Sequence, residues 1–251
     1  MSRVKKFNRP IGFESNMARQ PKSPSESKRE ESRRAIQEAA LDLFYTKGFE
    51  ATTTRDIVKA AGILNGSLYN RFKSKDEILM SIIADILGSF LDDNERVFRE
   101  EKDPIVSLAV PIGVELYLAS MDSRLADLIY QAHKSWGTVE MYVGLYTDWL
   151  KGIWSEHFHD RIEDEDFKAG IVAMIGATGN LCGMYAHGLS KEYREVLEGL
   201  LQAASMMTQM PAFALRVTVD RVASIVEGGD IRIMGYRVAD LKDGIACAPE
   251  P

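Results

Sequence analysis

From Ser32 onward, apolar residues recur at helical spacing. Ile36, Ala39, Ala40, Leu43 and Phe44 fall on one face and Gly48 follows as a stop, which predicts a first helix over about residues 32–47. Thr53 then stands where a helix cap is expected, with Asp56 three residues later to complete a capping box, and Ala61-Gly62 ends this second, short helix. After a tight turn at Gly62-Ile63-Leu64-Asn65, the run Ser67–Phe72 predicts a third helix that turns Leu68 and Phe72 inward. Two short helices joined by a turn of three or four residues form a helix-turn-helix. Its second helix would lie in a DNA major groove and offer Asn65, Ser67, Tyr69, Asn70 and Arg71 to base edges and phosphates. The same polar residues also suit the solvated face of an ordinary helical hairpin.

Ser74-Lys75-Asp76-Glu77 is a second capping box. It launches a long helix whose apolar stripe runs Ile78, Ile82, Ile86, Phe90 beside Leu79, Ile83, Leu87, Leu91. Beyond Asp103-Pro104, a cap with proline at the first helical position, the pattern predicts helices near 104–120, 123–136, 138–158, 165–189, 191–209 and 211–227, the first kinked at Pro111. Short connections and the lack of long alternating runs argue for an all-α chain. An N-terminal three-helix helix-turn-helix domain is joined by a long helix to a C-terminal helical bundle. Residues 1–31 read as a flexible basic arm, 32–78 as the helix-turn-helix domain, 79–228 as the helical bundle and 229–251 as a C-terminal tail. Within that tail Ile231–Met234 is a candidate extended piece and Ala246–Pro251 reads as frayed.

Charge changes the picture. The chain carries a formal charge of -6, with 31 Lys and Arg against 37 Asp and Glu, but residues 1–80 hold 16 basic against 10 acidic residues. A basic front on an acidic body fits a nucleic-acid-binding module fused to something else; a basic tail accounts for part of it, because residues 1–34 hold ten positives and four negatives. At 45% hydrophobic content the chain can build a core, and its two cysteines, Cys182 and Cys247, match neither a disulfide framework nor a zinc site, so a reducing cytoplasm is expected. The start lacks the apolar run of a signal peptide. Ala169–Ser190 carries no charge over 22 residues, yet five glycines and the polar Thr178, Asn180 and His187 make it a poor membrane span.

Ile36, Ala39-Ala40, Leu43-Phe44, Gly48, Thr52-Thr53, Ile57, Ala61-Gly62, Gly66, Leu68-Tyr69, Phe72, Lys73-Ser74-Lys75 and Leu79 resemble, in identity and spacing, the DNA-binding domain of TetR-family transcriptional regulators. The resemblance covers residues 34–79. It implies an all-helical homodimer that binds a double-stranded DNA operator, most often as a repressor, and that a small molecule bound to the C-terminal domain releases. Carried over by position, it implies that Thr54 and Arg55 meet a phosphate and a base, that Tyr69 contacts the backbone, and that Lys75 holds a phosphate. Asn65, Gly66, Ser67, Asn70 and Arg71 would face the groove. Two positions depart from the family pattern. Leu64 replaces a small hydroxyl residue, which passes the capping role to Asn65. Arg71 replaces a His or aromatic residue and suits guanine or a phosphate.

The resemblance also makes residues 79–228 the effector-binding and dimerisation domain. Such proteins pair two C-terminal helices from each subunit, so Gly176, Gly179, Asn180 and Gly183 are expected at the dimer interface, where small residues let helices approach. Region 117–158 gathers Tyr117, Tyr130, His133, Trp136, Met141, Tyr142, Tyr146, Trp149 and Trp154, a lining for an apolar or aromatic effector with His133 as its polar handle. No catalytic residues, metal ligands or cofactors are expected. His157 and His159 do not share a helix face, and Asp92-Asp93-Asn94-Glu95 reads as a solvated face. The rival readings are a helical-bundle enzyme, for which no nucleophile-base pair or phosphate loop emerges, and a regulator tethered to a membrane through residues 169–189.

Overall fold

The computed structural model describes residues 24–158, 165–208 and 213–243. Helix α1 (Pro24–Lys47) starts eight residues before the hydrophobic period does. Glu26–Arg34 has no apolar face for a periodic reading to find, yet it is dense in helix-forming Glu, Lys and Arg, lacks glycine, and follows a proline placed at the first helical position. The expected arm therefore loses residues 24–31 to α1, and residues 1–23 lie outside the described chain.

Short α2 (Thr54–Ala61) packs on α1 and on α3 (Asn65–Tyr69), and α1 packs in turn on α4 (Lys75–Asp93). Their shared core is Ile36, Ala40, Phe44, Phe49, Ile57, Leu68 and Phe72, all buried, with the Phe44 and Phe49 rings 4.9 Å apart. The expected capping box of α2 is formed on both sides, and Gly62 ends the helix in the left-handed region at φ 65°. At the head of α4 the Ser74 hydroxyl accepts from the Glu77 amide at 3.2 Å. A buried polar node joins α1 to α4: Gln37 Nε2 donates to Asp85 Oδ2 at 2.7 Å and Arg33 pairs with the same oxygen at 3.2 Å.

After α5 (Glu95–Glu100), helix α6 (Pro104–Met121) forms the centre of the second half and touches α7 (Ser123–His133), α9 (Glu165–Ala186), α10 (Tyr193–Thr208) and α11 (Phe213–Gly228). α6 continues through Pro111, which is buried inside it. α8 (Trp136–Phe158) packs on α4 and α9. Both Pro104–Met121 and Phe167–Ala186 are long and apolar enough to cross a membrane by length and composition; 61% of the first is buried inside the protein, against 33% of the second.

The expected tail is partly folded. Strands β1 (Arg232–Ile233) and β2 (Tyr236–Arg237) pair antiparallel around Met234 and Gly235, both at positive φ, before a 3-10 turn over Val238–Asp243. Asn94, fully buried after the last turn of α4, clamps this hairpin: its Oδ1 accepts from the Arg232 amide and its Nδ2 donates to the Arg232 carbonyl, each at 2.7 Å. Its neighbours Asp92, Asp93 and Glu95 are exposed, but Asn94 departs from the expected solvated face because its amide is buried against Arg232.

Candidate nucleic-acid interface and effector region

Tyr69 stands out from α3 at 56% exposure, and its hydroxyl lies 3.2 Å from the Thr54 hydroxyl at the start of α2. The turn between the two helices thus brings both residues onto one surface, with Arg55, Asn65, Gly66 and Asn70 exposed around them and Ser67 half-buried. Lys47 at the end of α1 pairs with Asp56 of α2 at 2.6 Å. That hydrogen bond, together with those from the Thr53 backbone and hydroxyl, holds the Asp56 carboxyl well below the usual carboxylate range. The pair bridges the end of α1 to the start of α2.

Three expectations change. Asn65 does not cap α3: the cap position is Leu64, which makes no side-chain cap hydrogen bond and is 79% exposed, while Asn65 is the first helical residue. The last turn of the expected 67–72 helix unwinds, so Arg71 lies beyond α3 and its Nε donates to Ser32 Oγ of α1 at 3.1 Å. Lys75 is turned toward the chain itself. Its ammonium donates to the carbonyls of Phe49, Glu50 and Thr52 at 2.9, 3.3 and 3.4 Å and sits 4.3 Å from the centre of the Phe49 ring. It holds the turn that leads into α2, because backbone carbonyls in a tight turn need a donor as much as a phosphate does.

The aromatic region of the second half is a packed polar core. His133 Nε2 faces Glu115 Oε2 at 3.3 Å, its Nδ1 lies 2.8 Å from the Ile129 carbonyl, and Tyr142 donates to Glu115 Oε1 at 2.9 Å. Burial works against the charged imidazole, but the Glu115 carboxylate and these hydrogen bonds outweigh it and raise the His133 pKa. Burial pushes the Tyr142 and Tyr146 phenols and the Cys182 thiol up, with Glu115 adding to it. Tyr146 and Trp149 continue the cluster toward Phe98, whose ring is 4.9 Å from Trp149. Tyr117 packs instead on Tyr193 at 5.1 Å. Trp136 departs from expectation: it opens α8 at the surface, 64% exposed. Tyr130 lies on the outer side, lining an open depression of about 230 Å³ with Asn180, Gly183, Met184 and His187. The side chains of Trp154, Glu156, His157 and Phe158 lie outside the described structure, and His159 and Asp160 lie outside the described residues.

The four expected interface residues divide. A Cβ on Gly179 would collide with His133, and one on Gly183 would come within 2.9 Å of the Tyr130 ring, so both glycines serve the packing of α7 on α9 within one chain. Gly176 has open space around its Cα and Asn180 is exposed; with exposed Ala173 and Met184 they form an outward stripe at helical spacing.

One contact gives no sequence signal. Tyr45 of α1 donates its hydroxyl to Asp122 Oδ2 at 2.6 Å and accepts from Arg124 Nη2 at 2.8 Å. By spacing Tyr45 is only another residue of a helix.

Residues 36–82 match the family model for bacterial regulatory proteins of the tetR family. The chain is 30% identical over 173 residues, 68% of its length and 64% of the relative's, to the HTH-type transcriptional repressor KstR2 of Rhodococcus jostii (strain RHA1). It is 30% identical over 91 residues, 36% of its length and 47% of the relative's, to the fatty acid metabolism regulator protein of Bacillus subtilis (strain 168). A gamma-butyrolactone receptor (ArpA like protein) of solved structure aligns at 17% identity and a TM-score of 0.42, over 79% of this chain and 97% of that one. The chain spans less than two thirds of the curated relatives it matches. On the helix-turn-helix and the family-model match, residues 36–82 are a domain of the tetR family of bacterial regulatory proteins.

Proposed function

We propose that the chain is a cytoplasmic, ligand-responsive transcriptional repressor that binds a near-palindromic double-stranded DNA operator as a homodimer and is released by a small apolar or aromatic effector. The observation that carries this reading is the surface formed by Thr54 and Tyr69, set on a helix-turn-helix that Lys47 and Asp56 tie to α1. Two recognition helices about 34 Å apart in a two-fold dimer would read successive major grooves. The outward stripe of Ala173, Gly176, Asn180 and Met184 supports α9 as the dimer face, and this use of an apolar helix stands in place of a membrane span. The names of the relatives, a repressor and a fatty acid metabolism regulator, support repression and an apolar effector. Among the described residues, the buried Trp149 Nε1, Ser107 Oγ, Thr138 Oγ1 and Thr147 Oγ1 have no hydrogen-bond partner, which supports the interior of the second half as the effector region.

Fluorescence anisotropy on the protein's own upstream DNA and on scrambled DNA of equal length, across a salt series, tests the reading. Selective binding with a steep salt slope is expected. Tyr69→Ala should weaken binding to all sequences alike and leave the melting temperature unchanged. Lys75→Ala should lower the melting temperature, because its ammonium holds three carbonyls of the protein. Failure on a genome-wide fragment pool would return the enzyme reading.

A further inference from the structure

We propose that Tyr45 is a positioning residue through which the α6–α7 corner sets the attitude of the helix-turn-helix. The proposal rests on the regulator reading above and concerns a connection that does not run through the long helix α4. At the corner, Asp122 ends α6 and caps α7, its Oδ1 accepting from the Arg124 amide at 2.8 Å. Arg124 folds back to pair with Asp122 at 2.9 Å and lies 4.3 Å from the centre of the Tyr45 ring. One phenol thereby joins three helices, and its donated and accepted hydrogen bonds fix it in two directions.

Both ends of this connection lead somewhere. Tyr45 follows Phe44, buried in the core of the DNA-binding unit, and precedes Lys47, whose pair with Asp56 reaches α2. α7 ends at His133, which meets Glu115 of α6, Tyr142 of α8 and Gly179 of α9. A helix of 11 residues is a lever of about 16 Å. A rearrangement of the buried polar cluster tilts this lever, and the corner carries α1 with it. Arg124 is 58% exposed, and ion pairs so exposed add little stability. The contact thus supplies geometry more than stability, and this separates a positioning role from a merely structural one.

Coupling between two sites is reciprocal, so DNA bound at the helix-turn-helix must act back on the corner. The test is amide hydrogen exchange of the full chain with and without the upstream DNA duplex, for wild type, Tyr45→Phe, Arg124→Gln and the surface control Arg99→Gln. In wild type and control, the duplex is expected to slow exchange both in residues 54–70 and at residues 118–126. In Tyr45→Phe and Arg124→Gln, slowing in 54–70 persists while that at 118–126 falls by at least about fivefold, with melting temperatures close to wild type. Slowing at 118–126 that survives both substitutions, or that is absent from wild type while 54–70 responds, overturns the proposal and leaves the regulator reading standing. A wild-type chain that responds nowhere, on this duplex or a fragment pool, overturns both.

Discussion

Gly176 and Gly179 are three residues apart on one helix and have opposite fates. Gly179→Ala drives a methyl into His133 and should destabilise the fold by about 1–3 kcal/mol in urea unfolding, the usual cost of overpacking. Gly176→Ala meets open space and removes a glycine from a helix interior, so it should stabilise the monomeric fold by up to about 1 kcal/mol. Equal effects would mean that α7 does not pack on α9 as described. His133 makes a second prediction at this scale. Its folded pKa is raised, so the stability it contributes is complete below its unfolded value of about 6.5 and is lost as pH rises through the folded value. Tyr142, Tyr146 and Cys182 around it are pushed upward from values already above that window, and Glu115 is its partner. The melting temperature of wild type relative to His133→Gln should therefore fall between pH 6 and pH 8; a difference independent of pH would remove the charged pair. Sequence spacing identified which residues lie on a helix here. It did not identify what covers each face, and for that reason the small residues of α9 read as one interface when two of them pack against α7. Lys75 is the same case: the three carbonyls that hold it are set by a turn 23 to 26 residues away.

Elements with an apolar face were legible. The stripe through Ile36, Ala40 and Phe44, the capping box at Thr53 and Asp56, and the Asp103-Pro104 start all reappear where the pattern put them. The first two turns of α1 were not, because a helix that is polar all round leaves no period to read; of the hairpin at 232–237 only β1 was anticipated, within the extended piece Ile231–Met234, because strands of two residues are too short to alternate. The hairpin depends on Asn94 instead. Asn94→Ala would leave the Arg232 amide and carbonyl without their partner and should cost about 1–3 kcal/mol in denaturant unfolding, with faster amide exchange at residues 231–238. Unchanged exchange there would show that Ile231 and Val238, both fully buried, hold the hairpin without the clamp.

At the scale of the whole molecule, the charge division seen in the sequence becomes a division of labour: the basic 80 residues carry the exposed Thr54–Tyr69 surface, and the acidic remainder carries the outward face of α9. If that face pairs two copies, Met184→Asp buries a charge at the seam. Sedimentation should then report a monomer, and operator affinity should fall by orders of magnitude, because each half-site alone binds weakly. A monomer with full affinity would detach dimerisation from DNA recognition. The Asn94 clamp has one more consequence, in the order of events at the ribosome. It joins positions 138 residues apart, whereas the contacts of α1 with α2 and of α2 with α3 are local. The helix-turn-helix can form while most of the chain is still unmade, but the packing around the end of α4 is completed only once Arg232 has emerged. The surroundings of the helix that links the two halves are thus finished last at the end away from the helix-turn-helix, and until then the early-folding domain has no finished partner to answer to.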